Sequence, residues 1–148
     1  LRGAVDRSAL LTIRETVTAY EPLATATLDD FLNPETLQLR LSDGLGPADS
    51  GRIDVQWTVH GDYAFHYTDP TGMNCRWDRH PHGSDYSHVD NLAHFHPPPD
   101  AASTPEIVEN SCITHASAEL VTRAVLKLWR AAYHADSYDP LNAGRNPP

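Results

Sequence analysis

Over residues 8–20 the apolar side chains Leu10, Ile13, Val17 and Tyr20 recur at spacings of three, four and three, and Pro22 follows. That is the period of one helical face, so a short N-terminal helix is predicted, weakened by the β-branched Thr12, Val17 and Thr18. From Glu35 the period drops to two. Leu37, Leu39 and Leu41 alternate with Thr36, Gln38 and Arg40, and Ile53, Val55, Trp57 and Val59 alternate with Asp54, Gln56 and Thr58. Both runs read as strands with one buried face, separated by a Gly, Asp, Ser and Pro loop over residues 42–51.

Residues 62–68 continue the alternation and lead into Asp69-Pro70-Thr71-Gly72. Proline suits the second position of such a turn and glycine the left-handed one, which closes a three-residue hairpin loop. Pairing Asp69 with Met73 then sets the register: Tyr67 faces Cys75, His66 faces Arg76, Phe65 faces Trp77 and Ala64 faces Asp78. One face carries Tyr63, Phe65, Tyr67, Cys75 and Trp77; the other carries His66, Arg76 and Asp78 and extends toward His80. A three-residue or bulged connection at His60-Gly61-Asp62 is expected, because a two-residue turn would separate Trp57 from the face of Phe65.

A polar, His-bearing loop occupies residues 80–92 and precedes Ala93-His94-Phe95-His96 and three prolines. The proline after His96 favours extended backbone, which puts His94 and His96 on one face and Phe95 on the other. Residues 107–113 offer a further strand. Leu120, Val121, Ala124, Val125, Leu128 and Trp129 form an apolar stripe within a helix over residues 116–134, and the tail from Ala135 reads as loop fraying at Pro147 and Pro148. The expected fold is α+β in one domain with its core over residues 35–134: an antiparallel sheet of about five strands, a C-terminal helix packed on the apolar face, and a short N-terminal helix.

Charge narrows the function. A net charge of -9 and a pI near 5.3 argue against nucleic-acid binding through a broad basic surface, although a local basic cleft is compatible. No apolar run is long enough for a membrane span and no leader pattern opens the chain, so the cytoplasm is the expected compartment. Lys127 is the only lysine among 11 basic residues, and Asp outnumbers Glu 14 to 6. That bias points to a halophile, with an Arg-for-Lys codon bias in a high-GC mesophile as the alternative. Cys75 and Cys112 are too few for a disulfide or zinc framework and read as small hydrophobes.

Seven of the nine histidines lie between His60 and His96. Imidazoles beside Arg and Asp suit proton transfer, with a base, an acid and a cation to meet developing negative charge. In metal-free RNA cleavage one histidine activates the ribose 2′-hydroxyl, an arginine holds the phosphate and a second histidine protonates the leaving oxygen. His94 and His96 are the candidate pair, with Arg76, Asp78, His66 and His80 completing the cluster and Arg79 and Trp77 as substrate contacts. Two other readings stay open. His94, His96 and Asp78 also match a metal ligand set in a hydrolase or sensor, and the same surface would serve a protein-interaction module without chemistry. His82 and His88 read as exposed loop residues, and His94→Ala is expected to cost little stability because it sits off the core face.

Residues 62–69, Arg76-Trp77-Asp78-Arg79-His80-Pro81-His82 and His94-Phe95-His96-Pro97-Pro98-Pro99-Asp100 resemble the TumE-like toxin family of toxin–antitoxin systems, especially its salt-adapted archaeal-type members. The resemblance extends over about residues 37–134, with Trp77, Asp78, His94 and His96 as the matching positions. Residues 1–34 have no counterpart in shorter members, and the loop over residues 83–93 is longer. The resemblance implies a toxin proposed to act on RNA and held by a cognate helix-turn-helix antitoxin. Together these observations predict a metal-independent endoribonuclease that needs no cofactor.

Overall fold

A computed structural model describes residues 1–83, 85, 86, 88, 89 and 92–144. The expected fraying at Pro147 and Pro148 lies outside the described residues, as do parts of the loop over residues 83–93. The chain opens with α1 (Arg7–Tyr20), whose N-cap Asp6 accepts a 3.0 Å hydrogen bond from the Ala9 N–H. Seven strands follow: β1 (Ala24–Leu28), β2 (Leu37–Leu41), β3 (Gly51–Trp57), β4 (Tyr63–Thr68), β5 (Asn74–Arg79), β6 (Ala93–His96) and β7 (Glu109–Asn110). The helix α2 (Ala118–Ala135) and a 3-10 turn, Asp139–Asn142, end the described chain. The fold is α+β, as expected, with an antiparallel sheet in which each strand pairs with the next in sequence.

Seven strands replace the expected five or so. In β1, Ala and Thr alternate with little contrast in hydrophobicity, so the period-two signal is faint at this edge of the sheet. The strand expected over residues 107–113 shrinks to the two-residue β7, and Ile107 stays exposed. Val59 likewise falls in the turn after β3 rather than in the strand, and its side chain is exposed.

The central register follows the turn chemistry. Tyr67 pairs with Cys75, His66 with Arg76, Phe65 with Trp77 and Ala64 with Asp78. Gly72 takes the left-handed position at φ 89° and donates to the Asp69 carbonyl at 3.0 Å. Between β3 and β4 the Thr58 N–H donates to the Asp62 carbonyl at 2.9 Å and closes a three-residue loop of Val59, His60 and Gly61, one position earlier than expected, and Trp57 pairs with Tyr63 on the face of Phe65.

Both helices pack on that face. Leu10, Ile13 and Val17 of α1 and Val121, Ala124, Val125, Leu128, Trp129 and Ala132 of α2 share one core with the inward side chains of β2 to β6. Each fully buried Leu, Val, Ile or Phe stabilises the fold by about 1.5–3 kcal/mol before entropy is counted. Cys75 belongs to this core and Cys112 packs at its border; both are free thiols. The helices are also clamped to each other, because Arg130 of α2 donates to both oxygens of the buried Glu21 carboxylate at 2.8 and 2.7 Å. None of the described helices is long and apolar enough to cross a membrane.

A second buried carboxylate fastens the N-terminal arm. Asp62 accepts hydrogen bonds from the Arg2 backbone N–H at 2.8 Å and from its Nε and Nη2 at 2.9 Å each, while Arg79 Nη1 approaches to 3.4 Å. The Arg2 guanidinium outweighs the opposing effect of burial and holds the Asp62 carboxyl at about 2 rather than its ordinary 3.8. A depressed folded value means that the stabilisation is complete above the unfolded value and fades as pH falls from about 4 toward 2. Asp62→Asn should therefore cost about 2 kcal/mol near neutrality and progressively less in acid. Urea denaturation of both proteins at pH 7 and pH 3 reads this out, and a gap that stays constant would refute the assignment.

Candidate functional site

Among the described residues no helix covers the other face of the sheet. Strand alternation aims Asp54 and Gln56 of β3, Ala64 and His66 of β4, Arg76 and Asp78 of β5, and His94 and His96 of β6 to that side. Register places Arg76 between His66 and His96, and Asp78 between Ala64 and His94. The small Ala64 beside Asp78 leaves room for a pocket of about 420 Å³, lined by Asp54, Gln56, His66, Arg76, Asp78 and His80 among others.

Asp78 is the hub. Its Oδ2 accepts from Arg76 Nε at 2.7 Å and lies 3.3 Å from His96 Nε2, 3.6 Å from His80 Nε2 and 3.8 Å from His94 Nε2. Burial alone would raise this carboxyl, but the His80 and His96 imidazoles and the Arg76 charge outweigh it and hold the group well below the usual carboxylate range. The hub is anionic at neutral pH.

The imidazoles around it share one orientation. Nδ1 of His80 lies 2.9 Å from the Pro81 carbonyl, Nδ1 of His94 2.9 Å from the Leu92 carbonyl, and Nδ1 of His96 3.0 Å from the Ala102 carbonyl. A carbonyl only accepts, so each Nδ1 carries a proton, and where burial keeps the ring neutral, as at His94, Nε2 is left with its lone pair. Nε2 of His80 faces the Asp78 carboxylate, and Nε2 of His96 lies between that carboxylate and Arg76 Nη2, 3.2 Å from the latter. Burial drives His94 down to about 4, so it is neutral at pH 7, whereas His80 is raised, chiefly by Asp78. His66 stands apart, with Nε2 at 3.1 Å from Asn74 Oδ1.

Five residues singled out from the sequence thus meet, Arg76, Asp78, His80, His94 and His96, and His66 lies beside Arg76 as its partner across the strands. Their accessibility differs from expectation. His94 and His96 are 0% and 1% exposed, because the segment after β5 folds over them. The rings of His80, His82 and Tyr86 lie 4.7, 5.5 and 5.5 Å from that of His94. The expectation that His94→Ala costs little is therefore overturned, and His82 is half-buried packing rather than a free loop residue. His88 does lie exposed, although its ring contacts the Val108 carbonyl. Tyr86, which the sequence reading passed over, was recognisable only as an aromatic among polar loop residues.

The two expected substrate contacts lie elsewhere. Trp77 is fully buried on the helix side, and its Nε1–H donates to the Leu141 carbonyl at 2.9 Å. Arg79 shares the parity of Trp77 and donates to the Gly61 carbonyl at 3.0 Å beside Asp62. Neither lines the pocket.

The family model described as Toxin TumE matches residues 12–132. The chain belongs to the TumE toxin family. The match runs from within α1 into α2 and spans all seven strands, so it takes in the Asp78 hub and its imidazoles. Membership of the TumE family makes this chain a toxin and implies an antitoxin partner. Comparison with curated proteins and with solved structures returned no significant match.

Proposed function

We propose that this toxin is a cytoplasmic endoribonuclease that docks an RNA phosphate on Arg76, and that a cognate helix-turn-helix antitoxin restrains it by covering the same pocket. The observation that supports this reading is a part-exposed guanidinium that lines one pocket together with two imidazoles, His66 and His80, on the face of the sheet away from the helices. Asp78 and His96 hold one edge of the guanidinium, which leaves the remaining donors for an anion.

The acid and base roles expected of His94 and His96 pass to His66 and His80, because a buried ring cannot reach a ribose. One imidazole removes the 2′-hydroxyl proton as O2′ attacks phosphorus. The other protonates O5′ as the P–O5′ bond breaks, leaving a 2′,3′-cyclic phosphate and a 5′-hydroxyl. The acidic surface offers no long-range attraction for RNA, so recognition rests on short-range contacts, which salt screens least. That suits the saline cytoplasm suggested by the Asp-rich, lysine-poor composition.

Induced expression of the wild type should arrest growth and create new RNA ends carrying 5′-hydroxyls. Purified Arg76→Ala should cut the same RNA at least about tenfold more slowly, since a charge-assisted phosphate contact is worth about 1.5–3 kcal/mol. Circular dichroism would confirm that the variant is folded. Arrest without new RNA ends, or wild-type cleavage by Arg76→Ala, would overturn the proposal.

A further inference from the structure

We infer that Asp78, His94 and His96 form a binding site for a single divalent transition-metal ion of the zinc class. One ligand atom from each of the first three residues lies within 4.8 Å of the others, and all three side chains are buried. Two buried atoms of this trio, Asp78 Oδ1 and His94 Nε2, have no hydrogen-bond partner among the described residues. A buried polar atom left unsatisfied destabilises the fold, so an ion that both can ligate removes two such costs together.

The outer contacts fit the same role. His94 and His96 each direct Nδ1 at a backbone carbonyl, which fixes the tautomer and leaves Nε2 as the ligand atom. The sheet supplies the spacing: Asp78 and His94 are cross-strand partners, and His96 follows two residues along on the same face. A carboxylate oxygen with two imidazole nitrogens suits Zn2+ and its neighbours, whereas Mg2+ and Ca2+ favour sites built wholly of oxygen.

Arg76 partly fills the role of the cation, since it bonds Asp78 Oδ2 and His96 Nε2 but leaves the other two atoms unmet. Its side chain is 30% exposed, so an arriving ion can displace it into the pocket. This inference does not depend on RNA cleavage, and its test involves no RNA.

Untagged full-length protein, stripped with EDTA and dialysed, should bind one Zn2+ per chain in calorimetric titration and show a higher Tm with the ion. Co2+ should bind in its place with the visible absorption of a tetrahedral site, and added Zn2+ should bleach it. Asp78→Asn and His94→Gln should each abolish the cobalt band, while His66→Ala, in the pocket but outside the ligand set, should retain it. If the ligand variants fail to fold, the wild-type cobalt spectrum and stoichiometry still decide. No one-to-one binding by the wild type, a cobalt band that survives in folded Asp78→Asn, or saturation by Mg2+ but not Zn2+ would each overturn the inference.

Discussion

Trp77→Ala is expected to lower the stability of the fold by about 3–5 kcal/mol. The indole is fully buried at the centre of the sheet, pairs with Phe65 on one side and Phe95 on the other, and lies 5.5 Å from the Phe95 ring. Truncation removes the largest type of side chain from a site where neighbours on two strands and in the helix layer cannot all close in, so a cavity adds to the lost burial. It also strands the Leu141 carbonyl, whose bond from Nε1 holds the 3-10 turn to the sheet. Trp77→Phe separates these contributions, since it keeps much of the ring volume and loses the hydrogen bond, worth about 1 kcal/mol. Urea denaturation with an unchanged m-value is the measurement. A loss below about 1 kcal/mol for Trp77→Ala would mean that the indole is not in the core.

On the opposite face His94→Ala should cost about 2–3 kcal/mol, measured with EDTA present so that any bound ion does not contribute. A residue pointing away from the apolar core would ordinarily be cheap to remove. Here the ring is fully buried, with the His80 ring at 4.7 Å, His96 at 5.1 Å and Tyr86 at 5.5 Å, and it donates to the Leu92 carbonyl. Removing it opens a hole in that second packed layer and frees a backbone acceptor. His66→Ala provides the control, because His66 is only half-buried beside the pocket and its loss should stay below about 1 kcal/mol. Equal losses for the two variants would show that the segment after β5 does not seat on His94.

These two substitutions mark how far the sequence could be read. Trp77 was placed in the core by alternation alone, and the turn Asp69-Pro70-Thr71-Gly72 was enough to pair it with Phe65. Turn geometry and the two-residue period are local properties, so the hairpin, the two faces and both helices were legible. One strand was not: in β1 the small Ala and Thr side chains carry little hydrophobic contrast, whereas β7 falls within the expected stretch over residues 107–113 but is only two residues long. Trp77 and Arg79 differ again: chemical type suggested them as substrate contacts, while their odd-numbered positions turn them toward the helix side or the Asp62 anchor.

By itself the sequence determined which side chains share a face: His66, Arg76, Asp78, His94 and His96 on one, and the aromatic core on the other. Only the tertiary structure decided which of them meet solvent. A segment rich in Gly, Ser, Asp and His has no period to show that it folds back, yet it places His82 and Tyr86 over His94 and His96 and leaves Arg76 and His66 at the open pocket. Alternation along a strand assigns faces because it follows from backbone geometry. Burial beneath a loop depends on contacts between residues distant in the fold, and no local pattern encodes them.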